Sequence, residues 1–305
     1  MRVEQKENTR CTGLLCSLFG YSRQAYYKHI KAYETDRFQD AVLLTQVEII
    51  RREQPRLGGR KLLHKLNGFM QAHSISLGRD ALFDLLRSQG LLVKKRRRGK
   101  PRTTFSFHRF YKYPNRIIGF IPCGPNQLWV SDITYICLDK KFAYLSLVTD
   151  AYSRKIVGYA LCKTLSATGC ITALQMAVKH NASSTAGLIH HSDRGIQYCC
   201  NDYVKLLEKH HISISMTQSG DPLENALAER VNGILKGELL AESYPCYTQA
   251  QPLVGKAIEL YNNVRPHSSI GMLTPAQAHL MTGELKKLWK NYYNPAKAKE
   301  VIMDG

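Results

Sequence analysis

From Asn126 onward the apolar residues change period, and the order of the segments that follow constrains the fold more than any other feature of the chain. Residues 128–137, 142–149 and 155–162 are rich in Val, Ile, Tyr and Leu and are parted by short polar turns, which predicts three consecutive strands. Residues 166–180 read as a helix, 187–191 as a short buried strand, 201–211 as a helix, 212–216 as a fifth strand, and about 224–241 as a longer helix. Three strands followed by alternating helices and strands predict an α/β structure with a mixed sheet.

The residues before this region are helical in pattern. Leu14, Leu15, Leu18 and Phe19 lie at helical spacing before a Gly20-Tyr21-Ser22 break and a basic, aromatic stretch from Arg23 to His29, a helix-turn-helix pattern that on its own is common by chance. Three further apolar stripes follow: Val42 to Ile50, Leu62 to Met70, and Leu82 to Leu86. Pro55 and Gly58-Gly59 punctuate the first junction, Ser76 to Gly78 the second, and Gly90 ends the last helix. The expected organisation is a helical segment 1–36, a small helical helix-turn-helix-like domain 37–93, a basic linker 94–122, a catalytic-size α/β core 123–285, and a tail 286–305.

Charge narrows the class of partner. The 305 residues hold 43 Lys and Arg against 24 Asp and Glu, a formal charge of +19 that points to a polyanion. Residues 85–131 contain eleven Lys or Arg and no Asp or Glu, with Lys94, Lys95, Arg96, Arg97, Arg98, Lys100 and Arg102 at the centre. This run reads both as a solvated linker and as a nucleic-acid contact. The interleaved Phe105, Phe107, Phe110, Tyr111 and Tyr113 are suited either to stacking on bases or to docking on a domain surface. No apolar run approaches the roughly 18 residues of a membrane span, and Met1 to Lys6 carry no signal-peptide pattern, so a cytoplasmic protein without membrane contact is expected. The nine cysteines include no C-x-x-C pair, which predicts free thiols in place of structural zinc.

Three carboxylates stand out. Asp132 lies inside the first predicted strand, where a buried charge is costly unless something positive balances it; the plainer alternative is an exposed edge or a hydrogen-bonded structural aspartate. Asp193 follows the fourth strand in His190-His191-Ser192-Asp193-Arg194-Gly195, where turn chemistry alone could account for it. Glu229 shares a polar stripe with Asn225, Asn232 and Lys236 on the last helix, a stripe that could equally be a solvated face. Taken together, two strand-borne carboxylates and one from a packed helix can converge on one sheet edge. Hard oxygen ligands suit Mg²⁺ or Mn²⁺. Two such ions about 4 Å apart can activate a water or a 3′-hydroxyl and stabilise the leaving oxygen at phosphorus.

Four ordered motifs, NQLWVSDITYI, HSDRGIQY, ENALAERVNGILKGEL and YNNVRPHSSIGMLTP, resemble the second-reading-frame transposases of the third insertion-sequence family, which are similar to retroviral integrases. PRLGGRKLLHKL and RDALFDLLRSQGLLVKKRRR resemble the helix-turn-helix region that precedes the core in such enzymes, so the likeness spans about residues 10–290. It implies an RNase H-like mixed five-stranded sheet flanked by helices and preceded by a small all-helical region. It also implies catalytic, metal-binding roles for Asp132, Asp193 and Glu229, which are separated by 60 and 35 residues. Metal-dependent cleavage and strand transfer at the ends of an insertion element, through figure-eight and circular intermediates, are the implied reactions, with two Mg²⁺ or Mn²⁺ ions. Lys236, Asn225 and Asn232 are implied to position DNA, while no role follows for Arg265, Pro266 and His267 beyond a possible structural brace. Implied partners are terminal-repeat and target DNA, the upstream-frame product, and further copies of the chain on DNA. Departures from the family pattern are Glu224 where many members have Asp, and Cys199-Cys200 where small or hydroxylated residues are common. The rival reading is a catalytically silent DNA-binding regulator derived from such an enzyme, and a metal-dependent nuclease with the same core is a third.

Overall fold

A computed structural model of the chain describes residues 12–94, 108–139, 141–181, 185, 187–218 and 222–288. The chain divides into two compact units, Met1–Val93 and Lys94–Gly305.

In the first unit, residues 12–18 are helical, and the Ser22 side chain accepts from Ala25 N (3.1 Å) to cap α1, Arg23–Glu53. This helix passes unbroken through the expected boundary at residue 36, because no Gly or Pro occurs between Arg23 and Glu53. Only Leu43 and Val47 of α1 are buried, so its C-terminal half alone joins the core. There it meets Leu62, Leu66 and Met70 of α2 (Gly59–Ala72) and Leu82 and Leu86 of α3 (Arg79–Ser88), each at helical spacing. The N-terminus of α2 presses on α3 closely enough that a Cβ at Gly59 would lie 2.8 Å from the Phe83 ring.

The second unit is built on a five-stranded sheet of order β3-β2-β1-β4-β5. Strands β1 (Leu128–Cys137), β2 (Phe142–Asp150) and β3 (Ile156–Cys162) form an antiparallel meander, as their short connections require. Helix α4 (Ala167–His180) and then α5 (Ile196–Cys199) with α6 (Asn201–Lys209) carry the chain over the sheet, so β4 (Ile189–Ser192) and β5 (Ser213–Met216) run parallel to β1. Alternation along the strands gives each face its own core. Trp129, Val148 and Ala160 pack with Ala173, Leu174 and Ala177 of α4. On the other face Leu145 and Leu147 meet Val231 and Leu235, together with Val254, Ile258 and Tyr261 of α8 (Tyr247–Asn263). No helix was expected at α8, whose Pro252 argues against one, and burial of its apolar stripe outweighs that local preference.

The helix carrying Glu229 is not the single α-helix its periodicity suggests. A 3-10 turn, Pro222–Asn225, leads into α7, Ala226–Ile234, and a π turn, Leu235–Leu239, closes it with a bond from Leu240 N to Leu235 O (2.8 Å). The last helix, α9 (Pro275–Ala278), is fixed by a Thr274 capping box. Residues 108–117, expected within a linker, line the free edge of β5. Met216 N donates to Pro114 O (3.4 Å), Arg116 N to Ser215 Oγ (2.9 Å), and Phe110 and Tyr113 pack on the α4-side core. The edge is thereby covered.

His190, fully buried on β4, ties that strand to its surroundings: its Nε2 lies 2.7 Å from Ser131 Oγ and 2.9 Å from Tyr203 Oη. Burial, reinforced by His191, pushes its pKa down to about 3. A folded value below the ordinary 6.5 means that the stability contributed is complete above pH 6.5 and is lost as pH falls toward 3. Urea unfolding of the parent is therefore expected to lose up to about 1.4 kcal/mol per pH unit below 6.5 from this residue, and His190→Gln to flatten that slope. Equal slopes in parent and variant would detach His190 from the acid sensitivity.

Candidate active site

Asp132 and Asp193 are brought together by strand pairing. The parallel register runs Leu128↔Ile189, Trp129↔His190, Val130↔His191, and each aspartate stands two residues beyond the last pair, Asp132 within β1 and Asp193 just past the end of β4. Both are half-buried and line one open cleft, with Tyr135, Leu165, Gln197 and Tyr198 around them. Asp193 Oδ1 accepts from Gly195 N (3.0 Å), a turn contact. Asp132 Oδ1 accepts from Ile133 N (2.8 Å), and Oδ2 accepts from Asn232 Nδ2 (2.7 Å). Burial and the nearby Asp193 charge, with a smaller push from Glu229, raise the Asp132 carboxyl to about 7, against these two hydrogen bonds.

Glu229 is exposed in the first turn of α7. The helix is fastened to β1 on either side of it, by Asn225 Nδ2 donating to Ser131 O (3.1 Å) and by Asn232 donating to Asp132. Asn225 and Asn232, expected to position DNA, both have their amide donors on β1. Both are buried, and a buried amide must find its partner inside the protein. Glu224, the departure from the family pattern, secures the start of the same segment: its carboxylate accepts from Gln218 N, and its backbone oxygen lies 3.1 Å from His191 Nε2. His191 Nδ1 is 2.9 Å from Ser215 Oγ, so β4, β5 and the approach to α7 are linked through one imidazole. Sequence reasoning gave no part to either histidine, although the adjacent pair ahead of Ser192-Asp193 was a visible signal.

Lys236 is half-buried, second in the π turn, so the count of 3.6 residues per turn that placed it on the Glu229 face holds only as far as Ile234. The turn is braced from the C-terminal side. Arg265, 3% exposed, donates from Nε and Nη2 to Glu238 Oε2 and Oε1 (2.8 Å each), while its Nη1 lies 3.0 Å from His267 Nε2. The Arg265-Pro266-His267 segment is thus a structural brace. Arg265→Ala would strand Glu238 without its fork, and a loss of about 3–5 kcal/mol in urea unfolding is expected, with Arg265→Lys in between. A loss below about 1 kcal/mol would make the pair an ordinary surface contact.

Of the basic run, Lys94 is exposed, and Lys95, Arg96, Arg97 and Arg98 lie outside the described residues, as do Phe105 and Phe107. Tyr111 is 71% exposed, in edge contact with Tyr113. Cys199 packs its sulfur on Met216 Sδ (3.6 Å), and Cys200 Sγ donates to Gln197 O (3.3 Å), so neither touches the carboxylates.

Among the described residues no three Asp, Glu, His or Cys side chains converge closely enough to chelate one ion. The donor chemistry nevertheless fits a hard divalent cation. Two adjoining carboxylates, one already pushed toward protonation by burial and by its neighbour's charge, are a site that such a cation would relieve.

A mixed five-stranded sheet of order β3-β2-β1-β4-β5 with helices on both faces, carrying Asp132 within β1 and Asp193 just past β4, is an RNase H-like core. Profiles of the integrase core domain match residues 122–222 and 210–275. The chain is 34% identical to an insertion element IS600 31 kDa protein of Shigella sonnei, over 86% of this chain and 96% of that protein. It is 28% identical to an IS986/IS6110 putative transposase of Mycobacterium tuberculosis, over 83% and 92%. Against the InsF transposase of IS3A from Escherichia coli K12 it is 35% identical, over 63% and 67%. This chain belongs to the IS3-family transposases with an integrase catalytic core. Among solved structures, the HTLV-2 integrase catalytic core in complex with magnesium aligns with a TM-score of 0.41 at 20% identity, over 52% of this chain and 99% of that one.

Proposed function

We propose that the chain is a DNA transposase that cleaves at the ends of an insertion element and joins the freed 3′-hydroxyl to another strand, with Asp132, Asp193 and Glu229 holding Mg²⁺ or Mn²⁺. The observation that carries this reading is the pair of aspartates, Asp132 within β1 and Asp193 just past β4, each two residues beyond the last β1–β4 pair and lining one cleft. Bound there, a pair of divalent ions would activate the attacking oxygen and stabilise the leaving one. The protein's own part is placement. Asn232 and the Ile133 N–H each hold one Asp132 oxygen, Asn225 seats α7 on β1, and the π turn with its Arg265 brace carries Lys236 seven residues after Glu229. Lys236 and the run Lys94, Lys95, Arg96, Arg97 and Arg98 are assigned to DNA phosphates, in keeping with the charge of +19. DNA is the substrate, further copies and the upstream-frame product are the protein partners, and no described helix is long and apolar enough to cross a membrane.

Incubating the protein with labelled element ends and Mg²⁺, with and without the upstream product, tests the reading. Joined strands mark a transposase, cut ends without joining a nuclease, and binding without turnover a regulator. In the same assay Lys236→Ala is expected to lower joining about tenfold while stability changes by less than about 0.5 kcal/mol, and Arg is expected to substitute better than Gln. Joining at the parental rate under limiting DNA would return Lys236 to the solvated surface.

A further inference from the structure

One wall of the cleft continues into an aromatic surface that the chemistry at the aspartates does not use. Tyr135, in the cleft wall, pairs across the sheet with Tyr144, and Cys137 pairs with Phe142, so all three rings lie on one face of β1 and β2. Tyr135 meets Tyr144 edge-on at 5.1 Å and 65°, and Phe142 at 5.8 Å and 87°. The first turn of helix α4 packs on this face at Ser146, where a Cβ at Gly169 would lie 3.1 Å from Ser146 Oγ. Beyond it, Tyr144 is half-buried and Phe142 is 51% exposed at the end of the hairpin. An edge-to-face contact covers one face of one ring, and the exposure of Phe142 leaves ring surface on which a base can stack. Lys141 beside Phe142 is exposed, while Asp139 in the same hairpin accepts from Ser243 Oγ (3.2 Å).

We propose that Tyr135, Phe142 and Tyr144 form a platform on which unpaired bases of the DNA strand leaving the cleft stack, a specificity element for frayed or single-stranded DNA beside the scissile phosphate. The proposal rests on the reading of the cleft as the strand-transfer site. Unpaired DNA is the occupant for two reasons. The platform is continuous with the carboxylate cleft through Tyr135, and a duplex presents its charged edge while an unpaired base presents a flat π face. Along β1, strand rise separates Tyr135 from Asp132 by about 10 Å and the Phe142 level by about 17 Å; the two lie on opposite sheet faces, joined by the cleft around the edge of β1 that β4 leaves unpaired beyond Val130. A stacked strand rises about 3.4 Å per nucleotide, so the platform reads bases at least about three to five nucleotides from the reacting phosphate.

The test uses the full chain and an iodouracil-substituted oligothymidylate, without divalent metal. Photocrosslinks are expected at Tyr135, Phe142 or Tyr144. Phe142→Ala is expected to weaken oligothymidylate binding about tenfold and leave duplex binding unchanged, with Phe142→Trp restoring it. The exposure of Phe142 makes the alanine variant safe to fold, which its thermal transition verifies. Crosslinks confined to other residues with unchanged affinity would overturn the proposal. So would equal losses for duplex and single strand, or a loss of self-association with no loss of oligothymidylate binding, which would make the face a contact between copies. Because stacking is read without metal, failure of the active-site reading, seen as cleavage by Asp132→Asn, shows separately from failure of the platform.

Discussion

Asp132→Asn is expected to lower DNA cleavage and joining by about three orders of magnitude or more, with DNA binding retained and the fold no less stable. The kinetic loss follows from removing one ligand charge from a site whose cations supply several kcal/mol of transition-state stabilisation, at about 1.4 kcal/mol per tenfold in rate. The stability expectation has the opposite sign and is specific to this site. The Asp132 carboxyl is pushed up to about 7 by burial and by Asp193, so in metal-free protein its charge costs stability progressively as pH rises from the ordinary carboxylate value through 7. The amide removes that repulsion, and at pH 8 a gain on the order of 1 kcal/mol is expected without metal. Glu229→Gln should abolish turnover equally without the gain, because Glu229 is exposed. Cleavage by any of Asp132→Asn, Asp193→Asn or Glu229→Gln near the parental rate would remove that residue from the site.

Gly158→Ala is expected to prevent the core from folding. Gly158 lies on β3 where α4 crosses it, and a Cβ there would stand 2.0 Å from Ala173 O, 2.8 Å from Ala177 N and 2.9 Å from Ala177 Cβ. Two of these atoms are helix backbone, which no rotamer change moves, so α4 as a whole would have to lift and open the contacts of Val157, Ala160, Ala173 and Leu174. A penalty above about 4 kcal/mol is expected, a large share of the stability of an ordinary domain. Gly68→Ala in α2 is the control: nothing lies within 4 Å of its added Cβ, and a gain of roughly 0.5–1 kcal/mol is expected. Soluble, cooperatively unfolding Gly158→Ala protein at parental yield would contradict the packing of β3 on α4.

Much of the core was legible locally. β1 begins and ends where the run of Leu, Trp, Val and Ile does, and β2, β3 and α4 agree with the periodicity to within a residue or so at each end. Period and turn residues act between near neighbours and are written in the chain itself. Asp132, Asp193 and Glu229 were recognisable as candidates from their strand and helix settings and from the motifs around them. Other features were not legible. The pairing of β1 with β4 joins segments some 60 residues apart in sequence, and only that register sets Asp132 beside Asp193. Asn225 and Asn232 share a stripe with Glu229 that reads the same whether it faces solvent or strand, and the packing of α7 on β1 turned it inward. The π turn, the helix around Pro252 and the brace from Arg265 to Glu238 likewise depend on what each segment meets. Local sequence determined which elements form and which side chains could do the chemistry. Tertiary packing decided which polar groups would be buried together, because the cost of an unpartnered polar group is set by neighbours that local sequence does not specify.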